Sequence, residues 1–382
     1  MDPDSQIYRD LQRHLDRLPM GFPETESGVD IRLLKRLFTP EEAKIAIQLS
    51  MIPEPLKRIY NRVKKSGMSI EEIQQILDQM LYKGTLLVSE EGYDEKHYSN
   101  AGFFAGGIYN FQVDRLTRDL IKDYRQHMEE TRLKPKSGQK RILPLRTIPV
   151  EKSIPVPEKF KVSNYDNVRK IIEDARAQIA VVNCICRQSQ DLLGESCTKT
   201  HLRETCLMIT PDHAKRHVDM GIGRYITKEE AFDILEKAQD AGLVLQPENT
   251  QQPDAICCCC GDCCVLLKSL KKHPRPADLY ETNYYVGVVS ELCTGCEECV
   301  ERCQLDARDM VDRVAAVNLD RCIGCGNCVV ICEYDANRLY KKGEETIPSK
   351  DKDALNMKML SKKAGKSNIQ IMRMKKLLGL KV

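Results

Sequence analysis

The sequence contains no tryptophan, and aromatic side chains make up only 5% of its 382 residues. No apolar run approaches the roughly eighteen residues that a membrane-spanning helix needs. Residues 1–17 are highly charged, which argues against a secretory signal peptide. A phosphate-binding glycine loop, a dinucleotide fingerprint and a recognisable nucleophile–base pair are also missing. The sequence therefore shows no sign of a membrane-spanning, exported or nucleotide-dependent protein.

Cysteine is the residue that the sequence has in excess, with 18 copies. Because no export signal accompanies them, we expect a cytoplasmic protein whose thiols bind metal rather than form disulfides. A net charge of +3 gives no reason to expect general affinity for nucleic acid. Hydrophobic residues make up 42% of the chain, which is enough for packed cores in two or three domains.

Eight of the cysteines form one spacing that occurs twice. Cys293-x2-Cys296-x2-Cys299-x3-Cys303 recurs 29 residues later as Cys322-x2-Cys325-x2-Cys328-x3-Cys332. Three thiolates spaced by two residues can hold three corners of an iron–sulfur cube, and the fourth suits a cube held mainly by the other run. The match extends to neighbouring positions, where Gly295, Val300 and Asp306-Ala307 correspond to Gly324, Val329 and Asp335-Ala336.

Residues 284–340 therefore resemble the bacterial dicluster ferredoxin domain. The resemblance implies two 4Fe–4S clusters, here called cluster 1 and cluster 2. It assigns Cys293, Cys296, Cys299 and Cys332 to cluster 1, and Cys322, Cys325, Cys328 and Cys303 to cluster 2. Zinc is the alternative for the same cysteines, although zinc sites more often use paired Cys-x2-Cys units without this interleaving.

The sequence departs from the family pattern after each fourth cysteine. Proline usually stands there, but this chain has Gln304 and Glu333. Each of these residues keeps a backbone N–H that proline lacks. We expect that donor to be able to bond a cluster sulfur and shift the reduction potential.

Ten further cysteines precede this region. A helix over 167–178 is expected to lead into a strand at 179–182 that carries Cys184 and Cys186 on one side. Ten clustered thiols are costly to bury without compensation, so we expect a further metal centre. The four consecutive cysteines 257–260 cannot all face one ion, because adjacent side chains diverge. The candidate ligands are Cys184, Cys186, Cys197, Cys206, Cys257, Cys259, Cys260, Cys263 and Cys264.

For this additional centre we expect one or more further iron–sulfur clusters, with zinc as the alternative. His213 and His217 lie four residues apart and are able to join the cysteines in a zinc site. A pair of histidines at this spacing is, however, more typical of a solvated helix face.

The N-terminal third is predicted to contain helices followed by a hairpin. Thr39 with Glu42, and Ser69 with Glu72, have the capping-box spacing that begins a helix. Three helices and a hairpin over about residues 30–110 resemble a winged-helix domain. The expected helices begin after Thr39, cover 55–65 and run from Ser69 to Gly84, and the expected strands cover 86–88 and 98–104.

The charges of this domain favour a protein partner over DNA. The helix 69–83 carries Glu71, Glu72 and Asp78 against Lys83 alone. The candidate wing, residues 90–96, is also mainly acidic, and acidic surfaces repel phosphates. Aromatic residues concentrate between Tyr93 and Phe111, and we expect some of them to be exposed to a protein partner.

These patterns predict an α+β protein with a winged-helix-like domain, a central cysteine-rich α/β domain and a C-terminal ferredoxin-like domain. The proline-rich basic linker is expected to be a solvated connector. The basic end is expected to be a frayed tail, with a possible amphipathic helix at 369–382. The predicted segments are 1–131 (winged-helix-like), 132–161 (linker), 162–275 (cysteine-rich), 276–340 (dicluster ferredoxin) and 341–382 (basic tail).

Electron transfer is the most concrete function that the sequence predicts. The chain is expected to act as an iron–sulfur subunit or adaptor of an anaerobic oxidoreductase, with a redox protein as its partner. Two alternatives stay open. One is a winged-helix regulator whose clusters sense redox state, and the other is a reductase with its catalytic site at the cysteines between 184 and 264.

Overall fold

The computed structural model describes residues 3–90, 92–103, 107–132, 142–155, 162–176 and 178–364. It divides into two compact units, of which unit 1 is Met1–Ser137 with Asn356–Val382 and unit 2 is Gly138–Leu355. Both helices and strands contribute, as the predicted α+β class requires. Within the described ranges, every helix is too short or too polar to span a bilayer.

Unit 1 consists mainly of helices with a small antiparallel sheet in the order β1-β3-β2. Leu33, Leu34, Ile45 and Leu77 are among its fully buried side chains. Its elements are α1 (Pro3–Asp16), α2 (Val29–Leu37), α3 (Pro40–Gln48), β1 (Glu54–Pro55), α4 (Leu56–Val63), α5 (Ile70–Lys83), β2 (Leu86–Ser89), β3 (His97–Asn100) and α6 (Arg118–Arg132).

The helix starts predicted for unit 1 are confirmed. Thr39 and Ser69 cap α3 and α5 through complete capping boxes with Glu42 and Glu72. Gly84 ends α5 with a left-handed backbone, φ +72°, which glycine adopts without steric cost. The helix order and hairpin agree with the expected pattern, but the winged-helix assignment itself stays a prediction.

Two expectations for unit 1 need correction. The second hairpin strand runs from His97 to Asn100 rather than over 98–104, and residue 104 lies outside the described residues. The aromatic residues there are mostly core. Tyr98, Phe103, Tyr109 and Phe111 are buried, because they fill the space between the hairpin and the helices, so they offer no surface to a partner. Tyr93 is the described exception, with 45% of its surface exposed.

The first part of unit 2 is built on a five-stranded sheet in the order β6-β4-β5-β8-β7. Every neighbouring pair is antiparallel, so the predicted α/β description of this region is wrong and α+β is correct. Its elements are α7 (Val168–Glu173), β4 (Ile179–Asn183), α8 (Ile185–Leu193), β5 (Glu204–Met208), α9 (Pro211–Asp219), β6 (Gly223–Ile226), α10 (Lys228–Asp240), β7 (Val244–Pro247), β8 (Ala255–Cys259) and α11 (Val265–Lys271).

The second part of unit 2 contains two small antiparallel sheets, β12-β9 and β10-β11. Short helices lie between their strands and follow the cysteine runs. The elements are α12 (Pro276–Leu279), β9 (Tyr284–Val288), α13 (Glu298–Glu301), β10 (Arg308–Val311), β11 (Val314–Val317), α14 (Asn327–Val330) and β12 (Asn337–Lys341). The last helix, α15 (Lys352–Ala364), begins in unit 2 and continues in unit 1.

The described parts of the linker and of the tail pack against the protein core, which differs from the prediction. Residues 142–155 pack into unit 2, where Ile148 and Val150 are fully buried and the backbone N–H of Val150 donates to the carbonyl of Cys325. This part is therefore no solvated connector, because its apolar side chains complete the core. In the predicted tail, α15 buries Leu355 and Leu360. The amphipathic segment 369–382 lies outside the described residues.

Candidate metal centres

The two cysteine runs adopt the same backbone twice. Gly295 and the corresponding Gly324 both have positive φ, +77° and +65°. A side chain at Gly295 would lie 2.7 Å from the carbonyl oxygen of Arg313, and one at Gly324 would overlap the carbonyl of Tyr284. The sequence repeat is thus also a structural repeat, which places each set of thiols on an equivalent loop and short helix.

The four cysteines assigned to cluster 1 line one cavity. Cys293, Cys296, Cys299 and Cys332 surround it together with Met310, Ala315 and Asn337. Cys296 is exposed and Cys299 is buried. The backbone N–H of Ala315 donates to Cys293 Sγ at 3.3 Å, the kind of bond that tunes a sulfur-bound cluster. The cavity and its thiol donors fit a cluster of this kind.

The four cysteines assigned to cluster 2 are more enclosed. Burial, together with the charges of Cys303 and Cys322, raises the pKa of Cys325 to about 12. Burial also raises the pKa of Cys328, where Cys325, Cys322 and Cys303 again act as neighbours. The backbone N–H of Ala307 donates to Cys303 Sγ at 3.2 Å. The four thiols therefore form one interacting group.

The buried side chain of Arg308 favours an anion at the four cysteines assigned to cluster 2. Its side chain is buried, and none of its three guanidinium nitrogens has a hydrogen-bond partner among the described residues. Burial raises the pKa of Cys303, and the charge of Arg308 opposes that rise. A buried cation without a partner is costly, whereas beside an anionic iron–sulfur cluster its charge is compensated.

Six of the upstream cysteines form a closed ring of neighbouring, interacting thiols. We call this group the cysteine ring, and each member has two thiol neighbours. Strand pairing contributes, since Cys206 on β5 lies opposite Cys257 on β8, and Cys259 is on the same face two residues later. The order around the ring is Cys184, Cys206, Cys257, Cys259, Cys264, Cys186 and back to Cys184.

The pKa values alternate around this ring. Hydrogen bonds from Cys206 and Cys259 lower the pKa of Cys257 to about 5. The pKa values of Cys184 and Cys264 are also lowered, in each case by bonds from two ring neighbours. The intervening Cys186, Cys206 and Cys259 act as donors, and their pKa values are raised. Because three of these buried thiols lose their protons more easily than usual, the ring suits a soft metal ion, which prefers thiolate ligands.

The local structure around Cys184 differs from the prediction. The strand ends at Asn183, Cys184 is the N-cap of α8, and Cys186 lies in the first turn of that helix. The two sulfurs do meet, but because the chain turns from strand to helix there and not because one strand carries both. The predicted helix over 167–178 is also shorter, since α7 ends at Glu173.

The nine candidate upstream ligands fall into two groups rather than one. Cys197, Cys260 and Cys263 are not members of the ring and lie together beside Asp262. The side chains of the four consecutive cysteines 257–260 diverge as expected. Cys257 and Cys259 join the ring, whereas Cys260 faces the other group. Cys258 points into the core, where burial raises its pKa to about 12.

The histidines are occupied elsewhere. His213 Nε2 lies 3.5 Å from a carboxylate oxygen of Asp254 and 3.2 Å from Lys352 Nζ. His217 Nδ1 bonds the carbonyl of His213 at 2.7 Å. Both are buried enough that desolvation lowers their pKa values, to about 3 for His213 and about 4 for His217. The pair is therefore part of a buried polar cluster and not a solvated face.

Gln304 connects the two cysteine regions. Its side-chain oxygen accepts from the backbone N–H of Gly261 at 2.7 Å, and its amide donates to the carbonyl of Gly242 at 3.0 Å. A side chain at Gly261 would overlap the carbonyl of Gln304, so the two backbones touch. Gln304 follows Cys303, and Gly261 follows Cys260, so this contact joins two candidate centres directly.

Three functional residues were not singled out from the sequence: Asp262, Arg187 and Arg308. Arg308 had a detectable signal, since the repeat places the neutral Asn337 at the equivalent position. Asp262 also had one, because it lies inside the Cys260-x2-Cys263 spacing. Arg187 had none, because its role depends on tertiary contacts with Thr205 and the carbonyl of Cys258.

Comparison with models of known families matches residues 285–333 to the 4Fe-4S dicluster domain. The match lies inside the region 284–340 expected from the sequence, so the resemblance is confirmed for this domain. It covers about an eighth of the chain. Neither the search of curated proteins nor the search of solved structures gave a match.

Proposed function

We propose that this iron–sulfur protein is an electron-transfer subunit or adaptor of an oxidoreductase, in which electrons pass between its 4Fe-4S dicluster domain and the cysteine ring. Clusters bound at these cysteines supply the one-electron chemistry. The chain's own residues supply burial, hydrogen bonds and charges around the sulfurs. The cysteine assignments proposed are those given above for cluster 1, cluster 2 and the ring.

The observation that carries this proposal is a buried core shared by the second cysteine run and the ring. Leu305 and Ile323, which lie next to the cluster 2 cysteines, pack in one hydrophobic cluster with Cys259 and Cys264 of the ring. Cys325 packs against the same cluster. Two sulfur-lined sites on either side of one tightly packed core leave no layer of solvent between them, which favours direct electron transfer.

The cluster 1 side offers a surface for the redox partner. Cys296 is exposed, and Leu292 and Tyr334 beside the same cavity keep 39% and 52% of their surface in solvent. Glu297 and Glu298 are exposed around them. An apolar patch with an acidic rim suits a partner with a basic docking surface, because opposite charges steer association. Electrons would then enter or leave at cluster 1.

Anaerobic purification with quantitation of iron and sulfide tests the cluster count. We expect more than about eight irons per chain, because a dicluster domain alone accounts for about eight. Replacing the ring residue Cys186→Ser should lower iron and sulfide together, leaving the dicluster signals in electron paramagnetic resonance (EPR) spectra. If the chain holds about eight irons and Cys186→Ser removes none, the ring binds no cluster and the relay is wrong.

The Gln304 contact gives a matched test of transfer itself. Gln304→Ala removes both side-chain bonds to the cysteine-rich region, whereas Glu333→Ala changes the exposed equivalent position. After rapid mixing with less than one equivalent of reductant, freeze-quenched EPR spectra should show slower equilibration between dicluster and ring signals in Gln304→Ala only. Equal rates in wild type and both variants would show that this contact carries no transfer.

One observation favours the regulator as a second candidate. The sequence argument considered the acidic α5, but α4 is basic, and Lys57, Arg58, Lys64 and Lys65 at or just after this helix are exposed. A basic helix is able to bind phosphates. Fluorescence anisotropy with duplex DNA at two salt concentrations distinguishes the candidates. A regulator binds at low salt and loses affinity in Lys57→Glu/Lys64→Glu, whereas an electron-transfer subunit shows no such binding.

A further inference from the structure

The three upstream cysteines outside the ring form a compact group with one carboxylate. The ligand atoms of Cys197, Cys260, Asp262 and Cys263 all lie within 4.8 Å of one another. The three cysteines are buried and Asp262 is half-buried. We call these four residues the compact group. Its three cysteines were expected from the sequence only as unassigned candidates for one or more additional centres, and Asp262 was not expected.

The spacing within the compact group is that of ligands around a single ion. With metal–sulfur and metal–oxygen bonds of about 2.3 and 2.1 Å, a tetrahedral zinc site places two sulfurs about 3.8 Å apart and a sulfur and an oxygen about 3.6 Å apart. Cys197 Sγ lies 3.7 Å from Cys260 Sγ. The same sulfur lies 3.6 Å from Asp262 Oδ1. A four-iron cube is a larger body and needs its cysteine sulfurs further apart.

The local sequence orients each ligand. Cys260 follows the end of β8, and Gly261 allows the turn to run against Gln304, where a side chain would collide. Asp262 is fixed by Thr198, whose backbone N–H and hydroxyl donate to Oδ2 at 2.8 and 3.0 Å. Its other oxygen, Oδ1, is left facing the sulfurs. Orienting bonds of this kind are typical around metal ligands.

Arg187 lies close to both the compact group and the ring. Its side chain is fully buried on α8, and it donates to Thr205 and to the carbonyl of Cys258. The charges of Cys184 in the ring and Cys260 in the compact group both act on Arg187, and both raise its pKa. A single cation that interacts with both sets of thiolates offsets negative charge on each of them, as two neighbouring anionic centres require.

We propose that Cys197, Cys260, Cys263 and Asp262 bind one divalent metal ion, zinc or ferrous iron, as a centre separate from the iron–sulfur sites. Three thiolates and one carboxylate complete a tetrahedral coordination shell without added sulfide. The ion cross-links the loop after α8 to the turn at 260–263, against which Gln304 packs. It therefore fixes the segment that joins the cysteine-rich region to the dicluster domain.

The test measures zinc, iron and acid-labile sulfide per chain in the anaerobically purified full-length protein. Cys197→Ser/Cys263→Ser should lose one metal ion per chain while its sulfide stays at the wild-type value. Cys186→Ser in the ring is the matched control, and there iron and sulfide should fall together. Loss of sulfide in the double variant would mean that the compact group holds a cluster, and unchanged metal would mean that it holds nothing; either result overturns the proposal.

A second variant guards against simple misfolding. Asp262→Cys keeps four ligands, so it should retain one ion, and with cobalt(II) in that site its thiolate-to-metal absorption should be stronger than in the wild type. Asp262→Ala should lose the ion to a chelator faster than the wild type. An identical cobalt spectrum in Asp262→Cys and wild type would exclude Asp262 as a ligand. EPR signals of the dicluster domain report in each case whether the chain is folded.

Discussion

The two halves of the dicluster domain begin from one repeated sequence and have different surroundings. The first half, residues 293–308, is partly open to solvent at Cys296, and its end contacts the cysteine-rich region through Gln304 and Leu305. The second half, residues 322–337, packs through Ile323 and Cys325 onto the core that contains the cysteine ring. Their backbones agree even at unusual positions, since Asp306 and Asp335 both have φ +51°. The sequence repeat thus specifies the backbone that positions the cysteines in each half. The residues that surround each half specify what that half contacts.

Two pairs of equivalent residues show what this difference teaches. Gln304 is buried and bonds Gly261, whereas Glu333 is exposed. Arg308 brings a buried positive charge to the proposed site of cluster 2, whereas Asn337 at the equivalent place beside the proposed site of cluster 1 is neutral. The asymmetry therefore lies in the residues after the cysteines. It gives the two proposed cluster sites different exposure and different local charge.

Removing one ligand from each half should have the largest effect. Cys296→Ser and Cys325→Ser occupy equivalent positions, and each should cost about four irons per chain if the assigned clusters are independent. Cys325→Ser should also lower the thermal unfolding midpoint more, because Cys325 packs against the shared core. Iron quantitation and thermal unfolding of anaerobic protein check both points. Loss of about eight irons in Cys296→Ser would show that the halves do not fill separately.

Replacing Gly326 by glutamate, the residue that the first half has at the equivalent position, should have the next largest effect. Gly326 has φ +78°, and a side chain there would overlap Ser153, which is buried. Gly326→Glu should therefore lower the free energy of unfolding by about 3 kcal/mol or more, because the new side chain overpacks the site and strains the left-handed backbone. The midpoint of thermal unfolding should fall by about 6 °C or more. A midpoint within one degree of the wild type would contradict the packing described for this half.

Exchanging the charges beside the clusters should change reduction potentials while the fold is kept. A cation stabilises the more negative, reduced cluster, so Arg308→Asn should lower the potential of cluster 2, by an amount on the order of tens of millivolts. Asn337→Arg should raise that of cluster 1. EPR-monitored redox titration measures both. If Arg308→Asn leaves the potential of cluster 2 unchanged, the buried guanidinium does not face that cluster.

The smallest expected effect is at Glu297, the first-half equivalent of Gly326. Glu297 has φ +67° and is exposed. Glu297→Gly relieves the strain of the left-handed backbone but adds flexibility to the unfolded chain. The free energy of unfolding should therefore change by less than about 1 kcal/mol. Thermal unfolding compared directly with Gly326→Glu checks this. A large loss of stability would mean that the Glu297 side chain has a structural role that its exposure conceals.

Part of the fold and of the site was predictable because it depends on local sequence. The caps at Thr39 and Ser69 and the end at Gly84 follow from hydrogen bonds and backbone freedom within one turn. The dicluster domain was predictable because its ligand spacing is itself the motif. The strand-to-helix turn at Cys184 was not, since an apolar run followed by alternating cysteines suits a strand equally well.

The remaining differences arose where burial depends on distant residues. Ile148 and Val150 lie in a proline-rich basic stretch whose composition suggests solvent, and only their place against β7 and Cys325 buries them. The sequence did not divide the ten upstream cysteines into ligand sets, because the ring joins β5, β8 and the N-terminal ends of α8 and α11. No sequence spacing records which of these elements meet.

By itself, the sequence determined that eight cysteines in two runs form a dicluster domain, because thiol spacing along the chain decides which corners of a cube one run can reach. It also indicated, through its excess of cysteine, that the protein binds metal. Only the tertiary structure decided that the upstream thiols form a six-membered ring and a separate compact group. It also decided that Gln304, in place of the usual proline, joins them to the dicluster domain, because sheet pairing and buried contacts bring together residues far apart in the chain.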